Sequence, residues 1–190
     1  MTCTKGSTIR KSDEKSGTWI FSGLDVGVWT VTATDGIKVA TKEVSVAANT
    51  VAFVALTYRL NLLALPESDW TKYLASSTAT WNDDGSLEMT QKSSGNGSRW
   101  TMLTPLVDVT NYNTLTLAVT NASGTVPNML MGVTNLNQYQ PSGAAATQSF
   151  KASGLYTLDI SQLRGEFYCG LYSVANNNTH VELFTKFELS

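Results

Sequence analysis

Charge is scarce in this chain. Only 15% of its 190 residues are Asp, Glu, Lys or Arg, against about 25% in an average soluble domain. Thirteen basic and 15 acidic residues leave a net charge of −2, so no basic field gathers nucleic acid or an anionic membrane surface. Histidine is confined to His180, which excludes a His-pair metal site and weakens any Ser–His–Asp arrangement. The two cysteines, Cys3 and Cys169, lie at opposite ends of the sequence and make no disulfide framework. Neither has a histidine beside it in sequence, which argues against a thiol nucleophile. No apolar run approaches the roughly 20 residues that span a bilayer. The opening MTCTKGSTIRK lacks the apolar stretch of a secretory signal, which fits a mature fragment of an exported protein or a component assembled in the cytoplasm and released by lysis; membrane insertion is not expected. Periodic segments of helical length are missing as well.

What the chain does have is alternation. Hydrophobic residues make up 42% of it, enough for a real core, and between residues 17 and 58 they recur every second position. Trp29 and Val31 share one face of a strand, with Val28, Thr30 and Thr32 on the other. Val44 and Val46 repeat the pattern, and Phe53, Ala55 and Thr57 alternate with Val54, Leu56 and Tyr58. A two-residue period rich in Thr, Val and Trp describes half-buried antiparallel strands. Strands are expected near 8–11, 18–21, 28–34, 38–46 and 51–58, with Asp35-Gly36 as a two-residue hairpin turn. The spacing predicts an immunoglobulin-like sandwich over residues 1–60. A strand that such a sandwich normally places before Thr2 is missing, either because the reading frame is truncated or because a partner or upstream segment supplies that edge.

The texture changes near residues 59–66, and a second domain is expected over 65–190. Strands are read near 86–92, 98–103, 115–120, 129–134, 148–151, 155–160, 166–174 and 180–189. Residues 95–98 form a hairpin turn in this reading, 159–163 a tight turn or a single helical turn, and Asn176–Asn178 a third turn. About eight strands without a helix point to a jelly-roll sandwich. The fold class is therefore all-β: an Ig-like β-sandwich followed by a jelly-roll β-sandwich.

No catalytic constellation emerges. Asp83-Asp84-Gly85 reads as a solvated turn, and His180 as a polar residue at a strand start. Asp108 and Asp159 stand at strand ends and are the weak candidates for a structural calcium site, without the dense acidic loop that would support one. No other cofactor is implied. Aromatic and amide groups suit sugar recognition better, because sugar C–H faces stack on aromatic rings while amides orient hydroxyls. Trp19 and Trp29 occupy inward positions and read as core. The candidate glycan-contacting residues are Trp70, Trp81 and Trp100, each with packing as its plainer role, and Asn135, Asn137, Gln138 and Tyr139. The last four belong to a Pro-ended loop over 135–141, for which an ordinary polar connection is the plainer reading.

The segments TCTKGST, GTWIFSGLDVGVWTVTATDG and VSV…VALTY resemble the small Ig-like domains of tail and virion proteins from phages of Gram-positive gut bacteria. LVDVTNYNTLTLAV and YTLDISQLRGEFYCGLY look like the jelly rolls that follow them, which are similar to carbohydrate-binding modules. The resemblance implies a non-enzymatic virion structural protein in a tail or host-contact apparatus. Its implied partners are other virion proteins or copies of itself, and a host surface glycan. The alternative is a carbohydrate-binding accessory module of a secreted or cell-surface bacterial protein.

Overall fold

The computed structural model describes residues 1–15, 18–34, 38–54, 56, 59–92, 100–124, 129–137, 143–173 and 179–190. They fold as two compact units, Met1–Leu60 and Asn61–Ser190, both built from β-strands. No helix among the described residues is long and apolar enough to cross a membrane.

The first unit is a twisted antiparallel sheet with a partial cover. Its strands are β1 (Thr2–Lys5), β2 (Thr8–Lys11), β5 (Gly27–Thr34), β6 (Lys38–Val46) and β7 (Arg59–Asn61), in the order β7-β6-β5-β1-β2. Strands β3 (Asp13–Lys15) and β4 (Thr18–Ile20) form a separate hairpin. The edge strand β2 is exposed at every residue, and its Arg10 and Lys11 blunt an edge that would otherwise template pairing. The expected alternation holds on β5, where Trp29, Val31 and Ala33 are buried. Trp29 also places its indole N–H 2.8 Å from the carbonyl of Asp25, which meets the hydrogen-bonding need of a buried indole. The Asp35-Gly36 turn lies outside the described residues, but the strands it was expected to join pair from Thr34↔Val39 to Gly27↔Val46.

Two expectations for this unit fail. Residues 51–54 form no strand; Ala55, Thr57 and Tyr58 lie outside the described residues. Val54 and Leu56 pack on the cluster of Cys3, Trp29 and Val31, while Val51 and Phe53 face solvent, Phe53 with 92% of its surface exposed. Alternation thus predicted which side chains turn inward, but not whether the backbone finds a pairing partner. Trp19 is 45% exposed instead of buried, because it sits on a three-residue hairpin strand outside the main sheet.

The second unit is a closed sandwich. Two single-turn 3-10 helices, Leu62–Ala64 and Glu67–Asp69, lead into it. One sheet holds β9 (Thr78–Trp81), β10 (Leu87–Gln91), β13 (Thr114–Gly124), β16 (Gly154–Asp159) and β18 (His180–Leu189), paired as β16-β13-β18-β10-β9. The other holds β8 (Thr71–Tyr73), β11 (Thr101–Leu103), β14 (Met129–Thr134), β15 (Ala146–Phe150) and β17 (Glu166–Ser173), ordered β15-β14-β17-β11-β8, with β12 (Val107–Asp108) pairing the start of β17. Leu87, Met89, Leu115, Leu117, Phe184 and Phe187 fill the interior from the first sheet, and Met102, Met129, Met131, Val133, Cys169 and Leu171 from the second.

Strands β8, β9 and β12 were missed, being too short to show a period. The expected hairpin at residues 95–98 is also corrected. Those residues lie outside the described set, yet β10 and β11 on either side of them belong to different sheets. The same is true of β17 and β18 around Asn176, Asn177 and Asn178, which also lie outside the description. The tight turn at 159–163 is present, closed by Leu163 N–H on the carbonyl of Ile160 at 2.9 Å.

Candidate functional site

Strand β17 is buried on both faces along its second half, which is unusual for a strand with only one core to face. Cys169, Leu171 and Ser173 turn into the sandwich. Tyr168, Gly170 and Tyr172 turn outward, in register with Thr134, Gly132 and Leu130 on β14 and, for Gly170 and Tyr172, with Leu103 and Thr101 on β11. Thr71 and Tyr73 continue those rows on β8, Thr147 and Ser149 on β15. The outer face of this sheet therefore presents tyrosines, hydroxyls and two facing glycines.

Gly170 makes room for a ring. A Cβ on Gly170 would stand 2.5 Å from atoms of the Tyr172 ring, whereas one on Gly132 would press on the Ala146 carbonyl at 3.0 Å and lie in ordinary contact with the ring at 3.7 Å. Tyr172 lies flat over the strand and is only 1% exposed. Burial pushes its phenol well above the usual range, with a lesser contribution from the Cys169 thiol. Cys169 itself is pushed up to about 12 by burial, partly offset by Thr104, so it is an inert core thiol.

The connection that leaves β14 reaches across to β8. The Leu136 N–H turns back onto the Thr134 hydroxyl at 3.1 Å. The Tyr73 hydroxyl donates to Oδ1 of Asn137 at 3.4 Å, although Tyr73 belongs to β8, separated from β14 by β11 and β17. Thr101, Leu103 and Tyr172 on this face are buried, while Asn135, Leu136 and Asn137 are exposed. The result is an exposed amide and a half-buried phenol held together on a rigid sheet.

The other candidate residues fare differently. Trp100 is 0% and Trp70 4% exposed; Trp100 packs edge-on to Phe184 at 6.1 Å, and Trp70 lies 5.7 Å from Trp81 and 6.3 Å from Phe187. Neither can present a face to a ligand. Trp81 is half-buried, with the Lys72 ammonium over its ring at 5.3 Å and that ammonium paired to Glu67 at 2.7 Å. Gln138 and Tyr139 lie outside the described residues. Asp108 and Asp159 each accept a local N–H at 2.9 Å, from Thr110 and Ser161, and the bonds from Ser161 hold the Asp159 carboxyl below its usual value. No group of three or more His, Cys, Asp or Glu suited to a metal occurs among the described residues. Asp84 caps its own turn through the N–H and hydroxyl of Ser86 at 2.9 and 2.6 Å. Tyr73 was missed entirely, since nothing in a three-residue edge strand announces a contact 64 positions away.

No family model and no curated protein matches the chain. Among solved structures it is similar to a low-affinity xylan-binding module, CBM86, from the gut symbiont Roseburia intestinalis, at 13% identity over 70% of this chain and 94% of that one, with a TM-score of 0.40. It is similar to a family 29 carbohydrate-binding module from Piromyces equi at 14% identity over 65% and 80%, TM-score 0.42. A cleaved adhesin domain of Lys-gingipain aligns at 11% identity over 65% and 90%, TM-score 0.46.

Proposed function

We propose that residues 61–190 form a non-catalytic glycan-recognition module whose contact surface is the Tyr73–Asn137 bridge on the outer face of the β8–β11–β17–β14–β15 sheet. The observation that carries this reading is the bridge itself, which joins an aromatic ring able to stack on a sugar face to an amide able to bond its hydroxyls. Half-buried Tyr168 and exposed Thr147 and Ser149 extend the same surface. Rigidity favours binding, because a preorganised aromatic–amide pair loses little freedom when a ligand docks. Of the two settings drawn from the sequence, the accessory module of a secreted or surface protein is adopted over the virion component, since this surface needs no second subunit to be complete.

The test is affinity electrophoresis and calorimetry of the whole chain against a panel of plant, fungal and bacterial cell-wall polysaccharides. Tyr73→Ala and Asn137→Ala are expected to weaken the best ligand at least about tenfold, equivalent to about 1.4 kcal/mol, with Tyr73→Phe intermediate. Absence of binding across the panel, or unchanged affinity in Tyr73→Ala, would remove the proposal.

A further inference from the structure

The inward face of β18 begins with two ionisable residues. His180 and Glu182 alternate with Phe184 on the core side, and both side chains are 0% exposed. Glu182 Oε1 lies 3.2 Å from His180 Nε2, a contact distance without hydrogen-bond alignment, and neither carboxyl oxygen has a hydrogen-bond partner. Across β10, Met89 stands opposite Glu182 and Gln91 opposite His180; across β13, Asn121 and Gly124 take those places. Gly124 adopts φ +80, and a Cβ there would collide with the Thr179 carbonyl and crowd the His180 backbone at 2.9 Å, so the chain is drawn tight against the pair.

The same end of the sandwich holds a polar link between its two sheets. Trp100 N–H donates to Ser173 Oγ at 2.9 Å, and Ser173 Oγ donates to Oε1 of Gln91 at 3.2 Å. Ser77, just before β9, is also buried, with its hydroxyl unpartnered. Among the described residues, the other titratable groups on inward-facing register positions are Cys169 on β17, Tyr156 on β16 and Lys72 on β8; Glu88 of β10 turns the opposite way from Met89. Gln91, Ser173 and His180 all occupy strand ends, where opening costs least.

We propose that His180 and Glu182 form a proton-dependent clasp at this end of the sandwich, closed while the pair keeps its proton and loosened once that proton is released. The proposal does not rest on the glycan reading. An unpaired carboxylate in this setting would pay for desolvation without compensation. Burial is the main cause that raises Glu182 from its ordinary 4.5 to about 8. In the open form His180 itself holds a proton below its ordinary value of about 6.5, so the closed pair, which keeps one proton, binds more than the open form only between about 6.5 and about 8. The stabilisation is complete below that window, falls through it as pH rises, and is gone above it.

The experiment is amide hydrogen exchange on the whole chain from pH 5 to 9, with each rate divided by its intrinsic rate at that pH. Protection at Thr90, Val181 and Leu183 is expected to stay level to about pH 6.5, to fall about tenfold per pH unit from there to about pH 8 and then to level off, and Glu182→Gln is expected to abolish the fall. Wild-type protection that stays flat, or a Glu182→Gln protein that falls in parallel with it, overturns the clasp. Should Glu182→Gln not fold, the wild-type side-chain carboxyl can be titrated by carbon-13 NMR. A midpoint above pH 7 supports the proposal and one at or below pH 5 overturns it.

Discussion

The two units solve the same problem with different success. In the second, two sheets face each other, and tryptophan, methionine, leucine and phenylalanine side chains fill the space between them to complete burial. In the first, one sheet carries the small cluster of Cys3, Trp29 and Val31, while its cover is a hairpin of two three-residue strands and a segment over 51–54 that pairs with no strand. A cavity of about 620 Å³ remains between sheet and cover, lined by Cys3, Phe21, Val31, Val44, Val54 and Leu56 among others. Apolar alternation is common to both units, so alternation alone does not close a sandwich. A second layer of paired backbone does.

Substitutions can break or sharpen this contrast. The largest effect is expected from Trp100→Ala, which empties a site with no room to collapse and should cost about 3–5 kcal/mol, read from urea denaturation followed by amide signals of the second unit. Trp29→Ala in the first unit should cost no more than about 3 kcal/mol, because its buried cluster is small and its partners Cys3 and Val31 line the cavity and so forgo part of their packing. Equal losses at the two tryptophans would show the units to be equally tight. Gly170→Ala drives a methyl into the Tyr172 ring, and about 1–3 kcal/mol is expected; an unchanged denaturation midpoint would mean that the ring lies elsewhere. At the small end, Phe53→Ser should shift stability by less than about 0.5 kcal/mol, yet remove the earliest chymotryptic cut, located by mass spectrometry. A first cut elsewhere would mean that the segment is better protected than its exposure indicates.

Much of the architecture could be read from residue order. Strands β5, β6, β14, β17 and β18 are long, alternating and bounded by turn residues, and they stand within a residue or two of expectation. The all-β class followed from them. Residues 51–54 were misjudged because period reports facing and says nothing of pairing. The polar clasp was equally hidden: HVELF places His180, Glu182 and Phe184 at the same parity, which was the available signal, but burying an acid opposes the ordinary expectation for charge. Of the loop residues nominated for recognition, Asn137 meets a partner that could not be foreseen, since Tyr73 approaches it across two intervening strands. Tryptophan in an irregular stretch proved a poor guide to a surface, as Trp70 and Trp100 show.

The flat tyrosine over Gly170 ties two positions into a single choice. In any related chain, a side chain gained at 170 should coincide with a smaller residue at 172, and a ring kept at 172 should coincide with glycine at 170. Designers grafting new specificity onto this sheet should therefore treat 170 and 172 as one combinatorial block and randomise them jointly.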